Sequence, residues 1–238
     1  MSSGSRHSAV SLGAPQIALV ALFVTALITA QVTAAKVVGI GLPFGFPLAG
    51  DLILVPGAVF AYALTFFASD CYAELYGRRA AQTLVNVAFA MNFVLLGLVW
   101  LAIAAPTFQG SPVGGEAFRS VLGASTGVVV GSLAAYVVSQ NWDVIVFHRI
   151  RERTGGDHLW LRNVASTATS QLVDTVIFIT VAFLLFQGLP PEQALGLVVG
   201  QYAVKLLIAL LDTPFVYAVV GFVRSRGLAE PATPARGD

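Results

Sequence analysis

The sequence predicts an all-α, polytopic membrane protein with six transmembrane helices and both termini in the cytoplasm. Three observations predict this class. Of the 238 residues, 57% are hydrophobic and 11% charged, with a mean hydropathy of +0.82, whereas a soluble domain carries about 25% charged residues. Apolar runs longer than about 18 residues recur along the chain, the length at which a helix crosses a bilayer. Basic residues gather in alternate loops, the pattern of the positive-inside rule.

Residues 1–15 read as a small polar tail, and 16–224 as the transmembrane domain. The first span covers 16–40 and runs far past the length of a signal peptide. Gly39-Ile40-Gly41-Leu42-Pro43-Phe44-Gly45-Phe46-Pro47 follows, rich in helix breakers. It reads as a loop or a partly re-entrant, extended segment. The remaining spans are expected at 53–76, 81–104, 120–147, 162–187 and 194–222. Residues 225–238 are rich in Pro, Ala and Gly and are expected to be disordered.

Ten of the 13 Lys and Arg residues fall in the two tails and in the loops after spans 2 and 4. The opposite loops hold only Arg119, and Lys36 and Lys205 lie within spans. This places both termini in the cytoplasm and agrees with an even number of crossings. The expected location is the inner (plasma) membrane, with the lipid bilayer as the main partner. Net charge is +1, so there is no bulk basic balance for nucleic acid. Cys71 is the single cysteine, which rules out an internal disulfide framework.

One sequence pattern occurs twice. Ser139-Gln140-Asn141-Trp142-Asp143 and Ser170-Gln171-Leu172-Val173-Asp174 share the skeleton S-Q-x-x-D, and each reaches a Phe four residues on, Phe147 and Phe178. On a helix, positions i, i+1 and i+4 of this pattern crowd one face. The fourth span also carries a small-residue stripe at i+4 spacing: Gly123, Gly127, Gly131, Ala135, Ser139, ending on Asp143. Such a stripe lets two helices approach closely. We read it as packing inside one bundle, with a homo-oligomer face as the alternative.

Asp70, Glu74, Asp143, Asp174, Lys36, Lys205 and Asp212 lie within spans or at their edges. An ionised side chain at mid-bilayer costs about 2.5–3.5 kcal/mol on insertion scales, so such groups face a bundle interior or a polar cavity. Asp174 lies near the middle of its span and has Ser170 and Gln171 on the same face. Three polar groups on one buried face need partners, and a polar ligand supplies them. Lys205 is expected to neutralise an acid on another helix, either Asp174 or Asp212. Trp142 reads as an interfacial anchor or as a stacking surface for a planar ligand. Glu74 is an i,i+4 neighbour of Arg78 and can simply pair with it.

Enzyme motifs are missing or out of place. There is no H-E-x-x-H and no P-loop pattern. Gly123-Ala124-Ser125-Thr126-Gly127 matches G-x-S-x-G but sits in a transmembrane stretch, away from any histidine. The paired acids do not sit in a G-x-G-D sequence, which argues against an intramembrane aspartyl protease. No cofactor or metal is expected. The residues alone point to a carrier for a small polar solute that donates hydrogen bonds. A carboxylate accepts two adjacent N–H bonds, so a planar heterocycle with a guanine-type edge is one match.

Three stretches carry a family resemblance: Leu64 to Ala80, containing Phe67-Ala68-Ser69-Asp70-Cys71-Tyr72-Ala73-Glu74; Ser139 to Phe147; and Trp160 to Thr167 running into Ser170–Thr175 and Phe178. Lys205 and Asp212-Thr213-Pro214-Phe215 fit the last helix of the same pattern. Over about residues 17–224 the chain resembles the queuosine precursor transporter family, also called the vitamin uptake transporter family. Ser69 stands where a Thr is expected, and Ala68 is smaller than the usual aliphatic residue.

The resemblance implies import of a queuosine or archaeosine precursor base, 7-cyano-7-deazaguanine or its aminomethyl form, for tRNA modification. The expected purine-like substrate site is Gln140, Asp143, Gln171 and Asp174, with Ser170 and Trp142. Asp70, Glu74, Lys205 and Asp212 are expected to serve as an inner gate or proton relay. The alternative is a substrate-binding subunit of an energy-coupling-factor importer, which requires an ATPase partner.

Overall fold

The computed structural model describes residues 12–46, 50–153 and 159–228. The end of the amino tail, the last ten residues and parts of two loops fall outside the described residues, including the expected disordered tail beyond 228. The order is α1 (Ala14–Thr33), β1 (Val37–Phe46), β2 (Gly50–Pro56), α2 (Val59–Tyr76), α3 (Arg78–Ala104), α4 (Gly115–Gly123), α5 (Ser125–Arg153), α6 (Leu159–Ile179), a π-helical stretch (Thr180–Leu185) and α7 (Pro191–Ser225).

Among the described residues, five helical segments are long and apolar enough to cross a membrane: Ala14–Thr33, Arg78–Ala104, Gly115–Arg153, Val164–Leu185 and Pro191–Ser225. The protein is a multi-pass membrane protein. The second expected span is not among the five. Its first residues are strand rather than helix, and its helix α2 is diluted by Thr65, Ser69, Asp70 and Glu74. The all-α expectation is therefore corrected by a two-stranded antiparallel hairpin, β1 with β2, which pairs Val37 with Pro56 and Gly41 with Leu52. The first helix stops at Thr33, short of residue 40. The breaker-rich segment favours extended backbone because glycine and proline disfavour helix, and a hairpin satisfies the backbone groups of one strand with those of the other.

Local chemistry sets the other boundaries. Pro15 and Pro191 sit in the first turns of α1 and α7, where a missing N–H costs nothing. Gly77 separates α2 from α3 at φ 90°, a conformation that a side chain disfavours. The expected sixth span, 194–222, is longer at both ends, and α7 carries Pro214 in its interior. Arg149, Arg151 and Arg153 extend α5 rather than forming a loop.

The small residues work as close contacts within the bundle. A methyl group on Gly131 of α5 would lie 3.1 Å from the Ala182 Cβ and 3.2 Å from the Phe178 carbonyl oxygen. A methyl on Gly127 would meet the Phe186 ring and Cβ. The stripe therefore seats α5 against α6 and the π-helical stretch. Gly200 of α7 is packed just as tightly against the Leu54 carbonyl of β2.

Two apolar cores lie at different heights. One joins Phe23, Cys71, Leu75, Leu84 and Val220. The other joins Ala34, Ala58, Val128, Phe183 and Leu197. The ends of the described chain meet at the first of these ends, where a methyl on Gly13 would sit 3.5 Å from the Leu228 carbonyl oxygen.

Candidate functional site

Between the two cores is a cavity of about 180 Å³ lined by α1, α2, α3, α5, α6 and α7. It is smaller than the ~300–1,000 Å³ typical of drug-sized ligands, which suits a compact solute. Its polar groups include Ser139, Gln140, Gln171, Asp174 and Lys205. Ser139, Gln171, Asp174 and Lys205 are buried or half-buried on helices that are otherwise apolar, because exposure to lipid would leave these groups without partners, whereas Gln140 at the rim is exposed.

The centre of the site is an ion pair. Lys205 Nζ on α7 lies 2.6 Å from Asp174 Oδ2 on α6. The same ammonium donates to Thr175 Oγ1 at 3.2 Å. Lys205 is 8% exposed and Asp174 26%, so the lysine is enclosed while the carboxylate still faces the cavity. Of the two acids open as partners for Lys205 on the sequence, it takes Asp174. It sits apart from Asp70, Glu74 and Asp212, with which it was grouped as a gate.

The two S-Q-x-x-D copies face one another across antiparallel helices. Ser139 Oγ of α5 lies 3.4 Å from Asp174 Oδ1 of α6. Ser170 Oγ of α6 lies 3.3 Å from Asp143 Oδ1 of α5. Each serine hydroxyl is also within reach of its own helix, at Tyr136 O (3.3 Å) and Thr167 O (3.0 Å) respectively. The copies are thus inverted rather than translated. One serine–acid level is a helical turn, about 5.4 Å, from the other. Asp174 with Gln171 and Gln140 lines the cavity, while Asp143, Ser170 and Trp142 are not in its lining. Ser170 is buried beneath, and Trp142 is 43% exposed.

The aromatic surface comes from other residues. Phe89 and Tyr136 both line the cavity and stack with centroids 4.5 Å apart at 24°. The Tyr136 hydroxyl donates to Asn86 Oδ1 at 2.9 Å and accepts from Gln82 Nε2 at 2.7 Å. Those bonds fix the ring plane. Tyr62, Thr65 and Ser69 add an α2 wall. Their i, i+3, i+7 spacing in an apolar run was a readable signal for that face. Gln171 Oε1 is buried without a hydrogen-bond partner among the described residues, and Gln171 lines the same cavity as Asp174. A buried acceptor left unpaired costs about 1–3 kcal/mol, so a donor arriving there is favoured.

The remaining acids gather elsewhere. Asp70, Glu74 and Asp212 line a pocket of about 250 Å³ between α2 and α7, nearer the chain ends. Arg224 closes it, donating to the Glu74 carbonyl at 2.7 Å and lying 3.7 Å from the Glu74 carboxylate. Glu74 thus pairs with Arg224 of α7. Among the described residues no cluster of His, Cys, Asp and Glu is arranged to hold a metal ion.

Comparison with known proteins gives a consistent result. Residues 56–219 match the family described as putative vitamin uptake transporter. A probable queuosine precursor transporter of Bacillus subtilis (strain 168) is 36% identical over 163 residues, covering 66% of this chain and 68% of the relative. A probable queuosine precursor transporter of Haemophilus influenzae is 28% identical over 167 residues, 67% of this chain and 65% of the relative. The queuosine precursor transporter of Escherichia coli (strain K12) is 26% identical over 162 residues, 68% of this chain and 70% of the relative. None of the three bears the name of an energy-coupling-factor subunit, so that alternative gains no support. No solved structure matches the chain. The matched segment contains α2 through most of α7 and with them the Lys205–Asp174 pair, and the chain belongs to the putative vitamin uptake transporter family.

Proposed function

We propose that the protein imports a 7-deazaguanine precursor of queuosine or archaeosine across the inner membrane. The observation that carries this reading is the Asp174–Gln171 pair lining a compact cavity of a chain whose relatives are named queuosine precursor transporters. Such a base presents a ring N–H and an exocyclic amine on one edge. Asp174 Oδ2 is taken by Lys205, so Asp174 Oδ1 is the acceptor left for that edge, and a turn of the Gln171 side chain would bring its unpaired Oε1 beside it. Gln140 reaches the opposite edge, and the Phe89–Tyr136 wall offers a ring face.

Asp174 and Lys205 are the charged groups of the lining and cancel. A cavity without net charge suits the uncharged cyano base better than the aminomethyl base, which carries an ammonium. Asp143 and Ser170 hold the level below the cavity, and Asp70, Glu74 and Asp212 form the inner gate. The chain crosses the membrane six times, with α2 as the second crossing and both termini cytoplasmic. The proximity of Gly13 and Leu228 supports an even number of crossings.

The test is rescue. Cells unable to make the precursor receive the cyano base at low concentration, and queuosine in tRNA is measured with and without this protein. Restoration by this chain alone, and uptake by the purified protein in vesicles without ATP or a partner ATPase, is the expected result. Failure of a membrane-inserted protein to restore queuosine would reject the reading.

A further inference from the structure

The described chain holds a second cavity apart from the central one. It lies at the end of the bundle away from the chain ends and measures about 940 Å³. The end of α1, the base of the hairpin, the start of α2, helix α4, the start of α5 and Phe186 surround it.

Its chemistry is divided. Lys36 and Arg119 line it, and no carboxylate does. Neither cation makes an ion pair among the described residues. Glu116, three residues before Arg119 on α4, is not part of the wall. Arg119 is held in place: its guanidinium carbon lies 5.9 Å from the centroid of the Trp100 ring. Trp100 is itself tied to Thr126 Oγ1 by its indole N–H at 3.0 Å. Tryptophan is enriched at membrane–water interfaces, where its polar N–H and apolar ring are both accommodated. Thr33, Ser120 and Gln187 add neutral polar groups, and the rest of the wall is apolar, with Phe60 71% and Val121 61% exposed. In a multi-pass protein those side chains meet acyl chains.

We propose that this cavity is a binding site for an anionic glycerophospholipid. The phosphate sits between Lys36 and Arg119, and an acyl chain lies against Val32, Phe60 and Val121. Arginine presents a planar fork of donors that matches a phosphate, and lysine adds a point charge. Two unpaired cations beside a largely apolar wall complement one molecule that is anionic at its head and apolar along its length. The precursor base is a poor occupant, since it is uncharged and its donors would find no carboxylate there. The lipid would tie the hairpin base, where Gly57 N–H donates to the Lys36 carbonyl at 2.6 Å, to α4 across the cavity.

The test uses the full chain, delipidated in detergent and titrated separately with phosphatidylglycerol, phosphatidylcholine and inorganic phosphate. Native mass spectrometry reads retained lipid, and a melting curve reads stability. The expected result is retention of phosphatidylglycerol at about tenfold lower concentration than phosphatidylcholine, equivalent to about 1.4 kcal/mol. Lys36→Gln/Arg119→Gln should erase that preference. A second variant guards against misfolding of the first. A methyl on Gly123, which lines the cavity, meets nothing closer than 4.0 Å, so Gly123→Leu fills the cavity while keeping both cations, and should also displace the lipid. Equal retention of the two lipids by the wild type would overturn the proposal. So would a preference that survives in both variants, or an equal melting shift from inorganic phosphate alone, which would mark a free-anion site.

Discussion

Ser139 on α5 and Asp174 on α6 approach oxygen to oxygen at 3.4 Å, and one turn along the same pair of helices the relation inverts, with Ser170 of α6 3.3 Å from Asp143 of α5. The repeat in the sequence is thus a structural exchange, in which each copy's serine addresses the other copy's acid. Only one of the two levels opens into the cavity. The inversion is exact in register, yet the function we assign to it is asymmetric.

That asymmetry is measurable. Ser139→Ala should slow uptake, because Ser139 and the Asp174 it touches both line the cavity. Ser170→Ala should slow it less, since Asp143 is outside the lining. Initial uptake rates at limiting base concentration compare the two. Equal losses would remove the distinction between the levels.

Asp174 and Lys205 should behave as a unit. Removing one member of a buried ion pair costs about 3–5 kcal/mol, because the other charge is left uncompensated. Lys205→Met should therefore lower the melting temperature sharply, and Asp174→Asn/Lys205→Met should recover most of the loss. Asp174→Asn alone should insert in the membrane and fail to transport. Normal import by that variant would sink the assignment of Asp174.

Gln171→Met keeps the side-chain volume and deletes the unpaired acceptor. The apparent affinity for the cyano base should fall about tenfold, the worth of about 1.4 kcal/mol. Trp142→Phe should leave the affinity unchanged, because Trp142 is outside the cavity lining. Competition uptake assays on both variants decide the matter, and a large effect of Trp142→Phe would restore it as the stacking residue.

The hairpin's seat on α7 gives a stability test. A β-carbon on Gly200 would overlap the Leu54 carbonyl, whereas one on Gly196 would meet only the tip of the Leu54 side chain at 3.4 Å. Gly200→Ala should cost about 1–3 kcal/mol, as overpacking does, and Gly196→Ala should be near neutral. Melting temperatures in detergent provide the comparison.

The topology is open to cysteine labelling. Cys71 is buried, so a Cys71→Ala background carries no native thiol. Ser120→Cys should react with an impermeant reagent from the periplasmic side, and Ser225→Cys only after the membrane is opened. Labelling of both from one side would contradict six crossings.

Much of the site was legible before folding. An acid in an apolar run is costly, which marked Asp70, Asp143, Asp174 and Asp212, yet of these only Asp174 lines the central cavity and Asp70 is exposed. The S-Q-x-x-D echo marked α5 and α6, and the glycine stripe marked the face of α5 that approaches another helix. The hairpin was read only as an extended segment, because breakers forbid a helix without specifying a partner strand. Phe89 and Tyr136 were not legible. An aromatic residue in an apolar helix looks the same whether it meets lipid, core or cavity.

The sequence by itself determined a multi-pass bundle and which charged residues its helices carry, because the bilayer penalises unpaired charge and makes each such residue conspicuous. It left open whether Lys205 answers Asp174 or Asp212, and which aromatic rings line the central cavity. Tertiary structure decided those points. The rotation and offset of each helix follow from how closely small residues such as Gly131 and Gly200 let neighbours approach, and that contact geometry depends on the partner helix as much as on the segment itself.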